Sequence, residues 1–143
     1  MTIFRSLRGV VGGLLVGISL AAAAISLVWT PHNPLALNLM ARLAPPGGSF
    51  LLGTDEFGRD VLSRLMTGAG ASISISIATV IFAVTIGTVI GVLTGFFRGW
   101  TDRIVMTFND ALLAFPGILL ALGLLVVLGA SRPGIILALG LAY

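Results

Sequence analysis

Two long apolar runs without a charged side chain, residues 9–29 and 73–97, constrain this chain more than any other feature. A helix needs about 20 apolar residues to cross the hydrocarbon core of a bilayer, so both runs are long enough. A third run, residues 104–129, is as long and carries one ionisable residue, Asp110. A final run, residues 135–143, covers roughly half a bilayer as a helix. The sequence predicts an all-α membrane protein with three transmembrane helices and the start of a fourth.

The composition supports this class and excludes several others. Hydrophobic residues make up 57% of the chain and charged residues 9%, whereas about 25% of a soluble domain is charged. The net charge of +3 comes from scattered arginines, which does not indicate a nucleic-acid surface. The absence of cysteine excludes disulfides and thiolate sites. His32 is the only histidine; it lies among prolines, and we interpret it as a loop residue.

The first apolar run has two interpretations. Arg5 and Arg8 precede it, and the small residues 21–24 are typical of a signal-peptide cleavage site. The run nevertheless stays apolar up to Trp29, which favours a transmembrane helix.

The arginines bear on orientation but do not decide it. With a cytoplasmic N-terminus, residues 1–8 and a turn at 98–103 are inside, and a loop at 30–72 is outside. Four arginines then fall on each side, with Arg132 after the third run counted outside, so a count alone gives no preference, although those inside lie closest to the apolar runs.

Small residues recur every fourth position in two of the runs. Such spacing places them on one helix face, where another helix can approach closely. The alternative is that glycine is simply frequent in membrane helices. The predicted helix-packing glycines are Gly13, Gly17, Gly87, Gly91 and Gly95.

Five of the thirteen charged residues fall within ten positions: Asp55, Glu56, Arg59, Asp60 and Arg64. Thr54 is a suitable N-cap, and Asp55–Arg59 and Asp60–Arg64 have the i,i+4 spacing of helical ion pairs. The pattern predicts a short amphipathic helix at about residues 55–67, which lies along the membrane surface or packs on the outer mouth of the helix bundle. From these residues alone, a solvated connector and a functional element are equally good interpretations.

Two features mark the third run. Asp110 is an ionisable residue within a membrane segment, which makes it a candidate for function; a structural partner within the bundle is the alternative. Pro116 lies in the middle of the run and predicts a helix kink. That kink is either a bending point or a static packing feature.

The stretch LLGTDEFGRDVLSRLMTGAGASISISI resembles the LGTDxxGRDxxSRLxxGxRxSL signature of a known family. These are the inner-membrane permease subunits of ABC-type dipeptide and oligopeptide importers, the DppC/OppC-like branch. GFFRGWTD and DALLAFPG are similar to two further motifs of that family, so the resemblance covers Leu51–Tyr143. The positions that match the outer-face motif are Gly53, Thr54, Asp55, Gly58, Arg59, Asp60, Ser63 and Arg64.

The sequence departs from the family pattern in three places. Gly70 and Ala71 stand where the family usually has Ala-Arg, and Asn109 stands at a usually apolar position. The family's cytoplasmic EAA-type loop, which docks into the ATPase, does not occur in the chain. We therefore expect the chain to be the N-terminal part of a longer permease.

The resemblance implies the helical bundle of a type I ABC importer permease, with the predicted amphipathic helix on its outer face, and it also implies a mechanism and a set of partners. It implies alternating access in the plasma membrane of a bacterium or archaeon, with the N-terminus in the cytoplasm and residues 30–72 outside. The implied partners are a second permease subunit, two ATP-binding subunits or domains, and an extracytoplasmic solute-binding protein, besides membrane lipid. ATP would bind to the separate ATPase subunits, so no cofactor, metal or catalytic residue is expected here. Dipeptides or oligopeptides are the implied substrates; a nickel chelate or glutathione stays open.

Two other functions are alternatives. One is a small three-span accessory or structural subunit, complete as written. The other is an intramembrane enzyme, which the sequence disfavours because the apolar runs contain no paired carboxylates and no serine with a plausible base.

Overall fold

Five α-helices form most of the computed structural model, which describes residues 6–142. A single turn of 3-10 helix, Leu39–Ala41, interrupts the loop between the first two. No strand occurs among residues 6–142, only the isolated bridges Gly47–Phe50 and Thr54–Asp60. The helices are α1 (Leu7–Ser26), α2 (Val61–Phe97), α3 (Gly99–Leu113), α4 (Gly117–Leu128) and α5 (Arg132–Ala142).

Helices α1 and α2 are long and apolar enough to cross a membrane. Helix α1 begins at Leu7 and is capped by Ser6, whose hydroxyl accepts the Gly9 N–H at 3.1 Å. It ends at Ser26, three residues before the expected end of the first run. Within the described residues there are two such helices, or three if the bent pair α3 and α4 forms one span.

The predicted separate surface helix at residues 55–67 is wrong. Residues 55–60 form a turn, and α2 begins at Val61 and continues through Gly68 and Gly70 to Phe97. A glycine inside a helix costs only about 1 kcal/mol relative to alanine, so two of them do not end a helix of 37 residues.

The third apolar run is not one helix. Helices α3 and α4 are bent by 95° relative to each other, with the break at residues 114–116. Pro116, which we predicted to kink the run, lies at the N-cap of α4. In a continuous helix its ring would clash with the preceding turn, and it has no N–H to donate, so α3 does not continue through it.

The starting points of two further helices, α3 and α5, also differ from the prediction. The turn predicted at residues 98–103 is confined to its start, because Arg98 and Gly99 have positive φ values of 46° and 66° and α3 begins at once. The last helix begins at Arg132 rather than at residue 135. Ser131 caps it by accepting the Gly134 N–H at 3.2 Å.

The chain divides into two compact units, residues 1–74 and 75–143. The first contains α1, the loop and the start of α2. In the second, α4 and α5 pack against each other with Ala121 and Ala138 buried. A Cβ at Gly140 would lie 2.5 Å from the Phe82 ring, so α5 also approaches α2 closely within this unit.

Candidate functional site

The charged segment folds into a tight turn around Asp55. Its Oδ1 accepts the backbone N–H groups of Phe57 at 2.8 Å and Arg59 at 3.0 Å. Its own backbone N–H donates to the Arg59 carbonyl, and its carbonyl accepts the Gly58 N–H. Aspartate suits this position because its short side chain can bond to the backbone two residues on.

The second carboxylate oxygen of Asp55 joins this turn to α2. Oδ2 accepts the Arg59 Nε–H at 2.8 Å and also an Nη1–H of Arg64. The predicted Asp55–Arg59 ion pair is therefore present, although in a turn. The predicted Asp60–Arg64 pair is wrong, because Arg64 pairs with Asp55 while Asp60 faces the start of α2.

Together, these contacts lower the pKa of Asp55. Burial raises the pKa of the carboxyl group, but the backbone N–H groups of Arg59 and Phe57 and the two arginine side chains lower it more. The pKa of Asp55 is therefore well below its ordinary value, and this carboxylate stays ionised.

Asp60, rather than Thr54, caps the helix that follows. Its Oδ2 accepts the backbone N–H of Ser63 at 2.9 Å and the Ser63 hydroxyl at 2.5 Å. Both residues are buried, at 3% and 0% exposure. A carboxylate at this position satisfies an otherwise unpaired donor and interacts favourably with the helix dipole.

His32 completes this cluster from the far end of the loop. Its backbone N–H donates to the Ser63 hydroxyl at 2.9 Å, and its Nδ1 lies 3.5 Å from Asp60 Oδ2. Burial raises the pKa of Asp60, but the bonds from Ser63 and the nearby His32 lower it more. Sequence reasoning missed this role of His32, because no spacing links residues so far apart in the chain.

The grouping of His32, Asp60 and Ser63 is not a catalytic triad. In such triads the serine hydroxyl is hydrogen-bonded to the imidazole and open to substrate. Here the Ser63 hydroxyl bonds directly to the carboxylate and is fully buried. The arrangement holds a loop against a helix.

Thr54 connects the turn to the preceding loop. Its hydroxyl donates to the Ala41 carbonyl and accepts the Ala44 N–H at 2.8 Å, so its predicted role as an N-cap is wrong.

The two glycines of the motif have positive φ values, and each lies close to the backbone of another segment. A Cβ at Gly53 would lie 2.5 Å from the Ala44 carbonyl oxygen, and one at Gly58 would overlap the backbone of Asn38. We call the cluster formed by these contacts the α2 junction: His32, Gly53, Thr54, Asp55, Gly58, Arg59, Asp60, Ser63 and Arg64.

The other candidate residues lie apart from the α2 junction. Asp110 is exposed, and among residues 6–142 its carboxylate has no hydrogen-bond or ion-pair partner. A Cβ added at any of four predicted packing positions would meet nothing within 4 Å; these are Gly17, Gly87, Gly91 and Gly95. Gly13 and Gly17 line a shallow groove along α1.

A close helix approach occurs instead at Gly70. A Cβ there would lie 2.7 Å from the Ser26 hydroxyl and 3.5 Å from the Ala23 carbonyl oxygen. Sequence reasoning noted Gly70 as a departure from the family pattern without assigning it to this contact.

Comparison with known proteins decides the family. The chain is 37% identical over 133 residues to the di/tripeptide transport system permease protein DppC of Pseudomonas aeruginosa, which covers 88% of the chain and 44% of that protein. It is 40% identical over 100 residues to the probable D,D-dipeptide transport system permease protein DdpC of Escherichia coli, covering 70% and 34%. The chain belongs to the DppC/OppC-like family of ABC transport permeases. The chain is thus membrane-embedded, as the apolar runs predicted.

Another member of this permease family is named for a different substrate. The chain is 42% identical over 86 residues to the glutathione transport system permease protein GsiD of Pectobacterium atrosepticum, covering 60% of the chain and 29% of that protein. No family model matches the chain. The chain spans less than half the length of the curated relatives described here.

Proposed function

We propose that this chain forms part of a permease subunit that imports dipeptides or oligopeptides by ATP-driven alternating access. The similarity to the di/tripeptide permease DppC, which extends over 88% of the chain, carries this proposal. The apolar helices α1 and α2 supply segments able to cross the membrane. Two of the three relatives named above have peptides in their names, which favours peptides over glutathione as the substrate class.

The proposed topology places the N-terminus in the cytoplasm of a bacterium or archaeon. Residues 9–29 and 73–97 contain the membrane-crossing helices, residues 104–129 contain a third membrane-embedded segment, and residues 30–72 lie outside. The arginines that flank the apolar runs most closely support this orientation, since basic residues near transmembrane ends favour the cytoplasmic side.

The proposed partners are a second permease subunit, two ATP-binding subunits and an extracytoplasmic solute-binding protein. ATP binds to the ATP-binding subunits, and this chain needs no cofactor. The names of the relatives, each a permease protein of a transport system, support a multi-component assembly.

Within this assembly, the α2 junction is proposed as a fixed outer-face element, which closes the outer gate or meets the binding protein. Asp55 and Asp60 both bond to residues in the first turn of α2. Because these bonds join the loop to the helix, a displacement of α2 would move the loop with it.

A chimeric permease tests this function. This chain replaces the matching segment of the Pseudomonas aeruginosa DppC in a strain that lacks that gene, and uptake of a labelled dipeptide is measured. We expect uptake that depends on both the binding protein and the ATPase subunits. A chimera that inserts and assembles normally but takes up no dipeptide or tripeptide would contradict the proposal.

The role of the α2 junction is tested in the same chimera. Asp60→Ala and Arg59→Ala should each reduce uptake more than Glu56→Gln, because exposed Glu56 lies on the same turn outside these bonds. Membrane abundance of each variant is measured in parallel. Unchanged uptake in both alanine variants would refute a functional role for the junction and leave the transport function intact.

A further inference from the structure

Helix α3 carries two distinct stripes along its length. Trp100, Ile104 and Phe108 recur every fourth residue and form an apolar stripe, with exposures of 81%, 62% and 67%. A polar stripe lies beside it and consists of Arg103, Thr107 and Asp110. Neighbouring apolar and polar stripes of this kind are typical of a helix that lies at a boundary between water and an apolar phase.

The direction of α3 differs sharply from that of α4. Helix α4 is an uncharged run of 12 residues, GILLALGLLVVL, and it is bent by 95° from α3. If α4 enters the bilayer near the membrane normal, α3 lies close to the membrane plane. The break at residues 114–116 then marks the point where the chain turns into the membrane.

The charges of α3 also favour the membrane plane. Helix α3 contains Asp102, Arg103 and Asp110, whereas α4 contains no charge. If α3 extended α4 through the hydrocarbon, Asp110 would lie about 9 Å deeper than Ile104. Charged side chains inside the hydrocarbon are costly and are normally paired, and among residues 6–142 Asp110 has no such partner.

We propose that α3 is an interfacial helix, whose apolar stripe inserts into the boundary between lipid headgroups and acyl chains. Its partner is the lipid surface itself. Tryptophan at one end of the stripe suits this depth, because its ring is apolar and its N–H is polar. Arg98 and Arg103 are offset by Asp102 and Asp110, so apolar insertion rather than attraction to anionic lipid holds the helix. This inference needs only a membrane-embedded chain and does not depend on the transported substrate.

Depth measurements on the whole chain in phosphatidylcholine nanodiscs test the proposal. The chain has no cysteine, so single cysteines at Trp100, Ile104 and Phe108 can each carry a spin label. Collision with oxygen and with a water-soluble nickel complex then gives the depth of each label. Because the three positions share one face, an interfacial helix gives the same depth at all three, within about 3 Å. A helix along the membrane normal gives a progressive change of about 12 Å over these eight residues.

A control scan along α1 uses Val10, Leu14 and Ile18, which should show a progressive change in depth. If α1 shows that change and α3 shows it as well, α3 is a transmembrane segment and the proposal is overturned. Labels on α3 that are inaccessible to both oxygen and nickel would indicate a protein-covered helix, which also overturns it.

A matched pair of substitutions gives a second test. Phe108→Asp places a charge in the apolar stripe, whereas Thr107→Asp places one in the polar stripe. With a label at Ile104, we expect Phe108→Asp to raise the nickel accessibility at least threefold and Thr107→Asp to leave it unchanged. Equal effects of the two substitutions would contradict insertion of the apolar stripe.

Discussion

Arg64 donates to the same carboxylate oxygen of Asp55 that accepts the Arg59 Nε–H, so two guanidinium groups converge on one oxygen. Arg59 lies in the turn and Arg64 in the first turn of α2. The other carboxylate oxygen of Asp55 is bonded to the backbone of the turn. One side chain therefore holds the turn in shape and fixes it to the helix that follows.

This convergence predicts loss of stability in acid. The pKa of Asp55 is lower in the folded loop than in an unfolded chain. The stability it contributes is therefore complete above its ordinary pKa, near 4, and is lost as the pH falls toward the lowered value. We expect the thermal unfolding midpoint to fall between pH 5 and about pH 2, and to fall less in Asp55→Asn.

The control for the acid prediction is Glu56→Gln, which removes an adjacent exposed carboxylate. Its thermal unfolding midpoint should fall with pH by nearly as much as that of the unsubstituted chain. An Asp55→Asn curve that parallels the unsubstituted chain down to the lowest pH would show that this carboxylate is not stabilised by folding.

The buried hydroxyl of Ser63 predicts a loss of stability on its removal. It donates to Asp60 and accepts the His32 N–H, so Ser63→Ala leaves the half-buried N–H of His32 without its acceptor. Such an unpaired group costs about 1–3 kcal/mol. Thermal unfolding in detergent gives the stability, and amide exchange at His32 should accelerate specifically.

Ser74→Ala is the matched control for Ser63→Ala. Ser74 is also in α2, but it is exposed and bonds only to the Ala71 carbonyl of its own helix. We expect Ser74→Ala to change the free energy of unfolding by less than about 0.5 kcal/mol. Slow exchange at His32 in Ser63→Ala would contradict the proposed bond between the loop and the helix.

The close approach of Gly58 predicts that even a methyl group is not tolerated there. Gly58 has a φ of +72°, and an added Cβ would overlap the Asn38 backbone. Gly48 has a φ of +53° with nothing within 4 Å of an added Cβ. Gly48→Ala should cost about 1–2 kcal/mol from the left-handed conformation alone, and Gly58→Ala should cost clearly more. Equal unfolding midpoints for the two variants would argue against the Asn38 contact.

The sequence predicts the apolar helices well and the α2 junction poorly. Uncharged runs specify membrane helices by length, so α1 and α2 follow from local information. The spacing of Asp55 and Arg59 fits a helix and a turn equally well, and the positive φ of Gly58, together with its contact at Asn38, selects the turn. The role of His32 depends on a contact across 31 positions, which no periodicity records. Pro116 likewise predicts a kink but not its size, and the observed bend is 95°.

The close approach of α1 to α2 at Gly70 can be tested with a second substitution at Ser26. Alanine within a helix is favoured over glycine by about 1 kcal/mol, so Gly68→Ala, with nothing within 4 Å, should be neutral or stabilising. An added Cβ at Gly70 would lie 2.7 Å from the Ser26 hydroxyl. Gly70→Ala should therefore stabilise the chain less than Gly68→Ala, because the Ser26 hydroxyl must rotate away from the Ala23 carbonyl, and Ser26→Ala should remove that difference.

Four proteins measure this coupling as a double-mutant cycle: the unsubstituted chain, Ser26→Ala, Gly70→Ala and the double variant. Ser26 bonds only to the Ala23 carbonyl of its own helix, so Ser26→Ala alone should have a small effect. We expect a coupling free energy of about 0.5–3 kcal/mol between the two positions, the range typical of residues in contact. Additive effects would mean that α1 and α2 do not meet at these residues, and the glycine would then need another explanation.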